Sequence, residues 1–91
     1  MTPSSSADSV RSYAVVADPD VGLSSRVLEQ FAKRDLLPER FLARVEAGLL
    51  HVEADCAGMD DVVAEHVRDV LASLVNVRRA ALVTRPRRLA A

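Results

Sequence analysis

The hydrophobic positions along this chain change period several times, and each change marks a new element. From Ser12 to Ala17 the run SYAVVA is short and rich in strand formers, and it stops at Asp18-Pro19-Asp20, where proline and two turn-forming acids end a strand. After Gly22 the apolar residues Leu23, Val27, Leu28 and Phe31 recur at helical spacing. Ser24, Arg26, Glu29, Gln30 and Lys33 fill the remaining face, so a helix is predicted to end near Asp35. Pro38 closes the connection. Phe41, Ala43 and Val45 then alternate with Arg40, Leu42 and Arg44, and Leu50, Val52 and Ala54 with Leu49, His51, Glu53 and Asp55. These are two strands joined by a turn at Ala47-Gly48. Asp60 is suited to cap a helix and Asp61 to its positive end, and Val63, Val67, Val70, Leu71 and Leu74 form one stripe. After Asn76 the segment VRRAALV is a last strand, with Val77, Ala81 and Val83 predicted on one side.

The hairpin fixes its own register. A two-residue turn sets Val45 against Leu50, Ala43 against Val52 and Phe41 against Ala54, all apolar, while Arg40 meets Asp55 and Arg44 meets His51 on the other side. The order β-α-β-β-α-β defines an α+β, ferredoxin-like βαββαβ fold, a four-stranded antiparallel sheet with two helices on one face. The opposite face is predicted to be uncovered and to carry Arg40, Leu42, Arg44, Leu49, His51, Glu53 and Asp55. Such a face, or an edge strand, is a natural place for a partner.

At 91 residues the chain is one domain. Residues 1–11 read as a flexible, Ser-rich N-terminus, 12–84 as the folded unit and 85–91 as a flexible basic tail. A net charge of −1 lacks the positive field of a dedicated nucleic-acid binder and leaves self-association electrostatically permitted. The single cysteine, Cys56, forms no internal disulfide, and no Cys/His spacing suits zinc. There is no signal-like N-terminus and no apolar run of about 18 residues, so the chain is expected to be cytoplasmic, with no membrane span.

Little in the sequence carries chemistry. A copper-chaperone version of this fold would place Cys-x-x-Cys in the loop after the first strand, where this chain has Asp18 to Gly22. An RNA-recognition version needs stacking aromatics, and only Tyr13, Phe31 and Phe41 are present. An acylphosphatase needs an anion-cradling loop, and DPDVGLSS puts two acids there. His51 reads as a polar residue of the open face, His66 as surface, and Cys56 as core filler. The pairs Asp18/Asp20 and Asp60/Asp61 are explained by a turn and a helix start, and Arg78, Arg79, Arg85, Arg87 and Arg88 by a solvated strand edge and tail. No catalytic residue, metal or cofactor is expected.

The turn into the first helix differs in kind. Gly22 serves either a tight turn or the close approach of a ligand, whose carboxylate would suit the unpaired N–H groups of the helix start. Asp18 and Asp20 would then accept from an ammonium group. At these residues the sequence resembles a family: DPDVGLSSRVLEQFAKRDLLPERFLARV is similar to the opening of an ACT domain. SRVLEQF (25–31) and LASLVNV (71–77) resemble the small regulatory subunits of acetohydroxyacid (acetolactate) synthase. The resemblance covers 12–84 and implies a non-enzymatic homodimer that regulates the catalytic subunit of a biosynthetic enzyme. It also implies an amino-acid effector site at Asp18, Pro19, Asp20, Val21, Gly22 and Leu23, with Leu37 and Pro38 from the partner or the adjoining loop. Valine-responsive members carry asparagines where this chain has Pro19 and Leu37, which points to an activating or weakly sensing member. The other reading is a structural or adaptor module that uses its open sheet face for protein contact and binds no small molecule.

Overall fold

In the computed structural model, residues 9–86 are described. They form β1 (Ser9–Ala17), α1 (Leu23–Ala32), β2 (Arg40–Glu46), β3 (Leu49–Ala57), α2 (Asp61–Ala72) and β4 (Val77–Pro86). The four strands make one antiparallel sheet in the order β2-β3-β1-β4. This is the predicted βαββαβ fold.

The hairpin has the register its turn length dictates, with Val45 opposite Leu50, Ala43 opposite Val52, Phe41 opposite Ala54, Arg40 opposite Asp55 and Arg44 opposite His51. Ala47 and Gly48 both take positive φ, 53° and 78°, as the tight turns matching strand twist require. The sheet reaches further than the alternation suggests. β1 begins at Ser9 because Ser9, Val10 and Arg11 find partners in Pro86, Arg85 and Thr84, which also carries β4 past Thr84. The rest of the two segments assigned as flexible ends, 1–8 and 87–91, lies outside the described residues.

The core is Tyr13, Val15 and Ala17 of β1, Leu50, Val52, Ala54 and Cys56 of β3, Leu23, Val27 and Phe31 of α1, and Ala64, Val67 and Leu71 of α2, with Met59 below. Three expectations are corrected. The buried stripe of α2 starts at Ala64 and not Val63, because the Tyr13 hydroxyl donates to the Ala64 carbonyl oxygen at 2.8 Å and turns that side of the helix inward. Leu28 of α1 is exposed. On β4 the inward residues are Val77, Ala80 and Leu82, while Ala81 and Val83 face out. The cause is a bulge: Val16 pairs with Arg79 but Ala17 with Val77, so Arg78 is an extra residue that inverts the alternation beyond it. β2 is an edge strand whose Ala43 and Val45 stay exposed, because no helix covers that margin of the sheet.

Arg11 is the buried charge among the described residues, 6% exposed. Its Nη1 donates to Thr84 Oγ1 at 2.8 Å and its Nη2 to the Met59 carbonyl oxygen at 2.9 Å and to Asp61 Oδ1 at 2.7 Å. One guanidinium thus ties β1 to β4 and to the first turn of α2, and its desolvation is offset by charge-assisted bonds. Arg11→Ala strands the Met59 carbonyl and is expected to lower the unfolding free energy by about 2 kcal/mol, about 10 °C in a domain of this size. Urea titration followed by circular dichroism measures it; an unchanged midpoint would show that the clasp is dispensable.

Candidate functional site

β1 ends at Ala17, and the chain crosses to α1 through Asp18–Gly22. Both carboxylates of this crossing have partners. The Asp18 N–H donates to the Asn76 carbonyl oxygen at 2.9 Å, and the Asp18 carboxylate accepts from Arg78 at 2.7 Å. Asp20 Oδ1 accepts from the Gly22 N–H at 3.0 Å, and its Oδ2 from Asn76 Nδ2 at 2.9 Å and Arg26 Nη2 at 2.5 Å. The Asn76 amide, then Arg26 and the Gly22 N–H, hold the Asp20 carboxyl below the usual carboxylate range. Asn76 presents its side chain here from a left-handed backbone position, φ 75°. The two acids therefore pin the β1–α1 crossing to the α2–β4 loop, and an ammonium group would have to displace Arg26 to reach Asp20.

Gly22 is not required by its backbone, since φ −87° and ψ −3° are open to any residue. A Cβ there would lie 3.0 Å from Arg26 Nη1, so the missing side chain makes room for a guanidinium folded back over the turn. Leu23 is fully buried and belongs to the core. Val21 is fully exposed. Beside the crossing lies a shallow hollow of about 300 Å³ lined by Pro19, Asp20, Val21, Ser24, Val45 and Leu50.

Of the residues singled out in the sequence, Asp18 to Leu23 are contiguous at one end of the sheet. Leu37 and Pro38 are not with them. They precede Arg40, which is level with Asp55 and Ser12, whereas the crossing follows Ala17, which is level with Leu50 and Val45. The two groups are separated by the rise of β2 from Arg40 to Val45, about 16 Å. Val45 and Leu50 escaped sequence reasoning because alternation marks them as core, and it does not reveal which strand lies at an edge. Arg26 escaped because its place on a helical face says nothing of a return to the preceding turn.

The remaining candidates are quiet. Cys56 is buried, its Sγ is 3.8 Å from the Leu37 carbonyl oxygen, and burial pushes the thiol pKa up, so it is a poor nucleophile. His66 Nε2 lies 3.4 Å from Arg34 Nη2 on the exposed side of the helices. Among the described residues no group of three or more His, Cys, Asp or Glu is placed to hold a metal ion, and no helix is long and apolar enough to cross a membrane.

The sequence matches no protein-family model and no curated protein. Solved structures do match. The ACT domain of the GTP pyrophosphokinase of Chlorobium tepidum superposes with a TM-score of 0.72 at 12% identity, over 84% of this chain and 99% of that one. The C-terminal domain of MgtC from Mycobacterium tuberculosis gives 0.71 at 9% identity, over 88% and 90%. The ligand-free regulatory subunit of aspartate kinase from Thermus thermophilus gives 0.64 at 11% identity, over 88% of this chain but only 52% of that one. The chain has the fold of an ACT domain.

The Asp20 fastening has a pH signature. Because its folded pKa is depressed, its contribution is fully present above the unfolded carboxylate value of about 3.9 and is lost as pH falls through the folded value. The melting-temperature difference between the parent chain and Asp20→Asn is therefore expected to be constant from neutrality to about pH 5 and to shrink below pH 4. Thermal scans across that range measure it, and a difference that does not shrink in acid would exclude an ionised Asp20 as the fastener. Gly22→Ala should fold with an unchanged spectrum, since only the end of a flexible side chain must move.

Proposed function

We propose that this chain is a non-enzymatic, regulatory ACT-type domain that pairs with a second copy along β2 and holds a small effector in the seam. The observation that carries the reading is the placement of exposed apolar residues around one uncovered strand. Val45, 66% exposed, is among its last residues with Val21 on the same hollow, and Leu37, 87% exposed, lies before its first. Two β2 edges related by a two-fold axis run antiparallel, so the beginning of one strand lies against the end of the other. That arrangement carries Leu37 and Pro38 of the second copy toward Pro19, Val21 and Val45, reuniting groups that one chain keeps apart. The hollow at Val21, Ser24 and Val45 then becomes an enclosed seam with apolar walls and the start of α1 at one end. A small aliphatic amino acid suits it: side chain on the valines, carboxylate at the helix start, ammonium toward Asp20 once Arg26 yields.

The finer reading is that of a regulatory small subunit of an acetolactate synthase-like enzyme of branched-chain amino-acid biosynthesis. It is supported by SRVLEQF, which spans most of α1, and LASLVNV, which joins α2 to β4.

Sedimentation of the purified chain should show a dimer. Val45→Asp, which puts a charge on an exposed position of the proposed contact, should weaken it about a hundredfold with an unchanged circular dichroism spectrum; a monomeric parent chain would remove the seam and this reading with it. An effector at 100 times its dissociation constant adds about 2.7 kcal/mol, so a thermal screen of the amino acids should show one selective rise of several degrees. For the finer reading, the chain added to an acetolactate synthase catalytic subunit from the same source should raise acetolactate formation, and no change would reject that partner.

A further inference from the structure

The open face of the sheet carries a second, larger hollow of about 550 Å³. Its floor is Ser12 and Ala14 of the central strand β1. Asp55 of β3 and Arg40 of β2 stand on one side, and Val83 and Arg85 of β4 on the other. The register explains the gathering: Arg40, Asp55, Ser12 and Val83 form one row across all four strands. With Glu53 also on the wall the charges cancel, two guanidiniums against two carboxylates. Not all of them are engaged. Arg40 Nη1 donates to Glu53 Oε1 at 3.0 Å, a closed pair. Asp55, only 14% exposed, has its Oδ2 3.4 Å from Arg85 Nη2 and 3.8 Å from Arg40 Nη1, both long for charge-assisted bonds, which favour about 2.7–2.9 Å. Ser12 Oγ is buried and has no hydrogen-bond partner among the described residues.

An under-engaged carboxylate, an under-engaged guanidinium and an unpartnered hydroxyl thus face one cavity of ligand size. We propose that this hollow binds a zwitterion of α-amino-acid size: ammonium on Asp55, carboxylate on Arg85 and the Ser12 hydroxyl, and a short side chain over Ala14 against Val83. The charge balance selects the ligand. A lone carboxylate would meet Asp55 uncompensated and a lone amine would meet Arg85, whereas a zwitterion inserts into the long ion pair and satisfies both ends. The buried hydroxyl gains an acceptor, removing the penalty of a buried donor left unsatisfied. The site is distinct from the β2 seam and needs no second copy.

The full chain, labelled with nitrogen-15, should be titrated with L-alanine and, as single-charge controls, with propionate and propylamine. L-Alanine is expected to give saturable amide shifts at Ser12, Ala14, Asp55 and Arg85, with the controls at least tenfold weaker. Arg85→Gln, at an exposed side chain on β4, should weaken L-alanine about tenfold, and Ser12→Ala should do likewise with an unchanged spectrum elsewhere. No shifts with L-alanine, equal shifts with propionate or propylamine, or an Arg85→Gln variant that binds as well as the parent would each overturn the proposal. Shifts confined to Val21, Ser24 and Val45 would overturn it too, while supporting the seam.

Discussion

Tyr13 stands on the central strand and touches both helices. Its ring meets Phe31 of α1 edge to face, with centroids 5.4 Å apart and planes at 74°, and its hydroxyl donates to the carbonyl oxygen of Ala64 in α2. A buried phenol must find an acceptor, and this one takes a helix carbonyl, so the rotation of α2 follows from a side chain on β1. Burial also raises the phenol's pKa, which keeps the proton available to the bond. With α2 turned to present Ala64, Val67 and Leu71, the two helices cover the centre of the sheet and leave β2 bare. The exposed edge invoked in the regulatory reading is thus a consequence of how the core is pinned.

The crossing after β1 carries the opposite lesson about polar residues. Asp18 and Asp20 look from the sequence like acceptors awaiting a cation, and in the fold each already has one. Arg78 and Arg26 reach them from β4 and α1, and the Asn76 side chain also bonds Asp20. These exposed ion pairs add little stability individually, yet together with the backbone bond from Asp18 to Asn76 they join two loops far apart in sequence. A ligand at this crossing would have to compete with an internal cation, so Arg26 would be a determinant of what is admitted.

The hairpin was legible because a two-residue turn leaves one register, and every pair in it agreed in polarity. The helices were legible in place but not in rotation, since helical spacing allows Val63 or Ala64 to begin the stripe and only Tyr13 decides. Arg11 was hidden because a charged residue next to a Ser-rich segment reads as solvated, while its burial depends on three acceptors supplied by Thr84, Met59 and Asp61. The candidate site was half legible. Local turn chemistry marks Asp18 to Gly22, but the distance to Leu37 and Pro38 is set by strand order, and the occupancy of the space over Gly22 by a side-chain conformation.

The bulge in β4 links these parts. Arg78 is the extra residue opposite the end of β1, and its own side chain closes the ion pair with Asp18. Beyond it the alternation is inverted, sending Ala80, Leu82 and Thr84 toward the helices and Val83 and Arg85 to the open face. Without the bulge, strict alternation from Val77 would aim Arg79 and Arg85 into the core, at the cost of burying two unpaired charges. It would also carry Thr84 away from Arg11. One inserted residue therefore fastens the crossing, supplies an acceptor for the buried guanidinium and delivers Arg85 to the hollow on the opposite face.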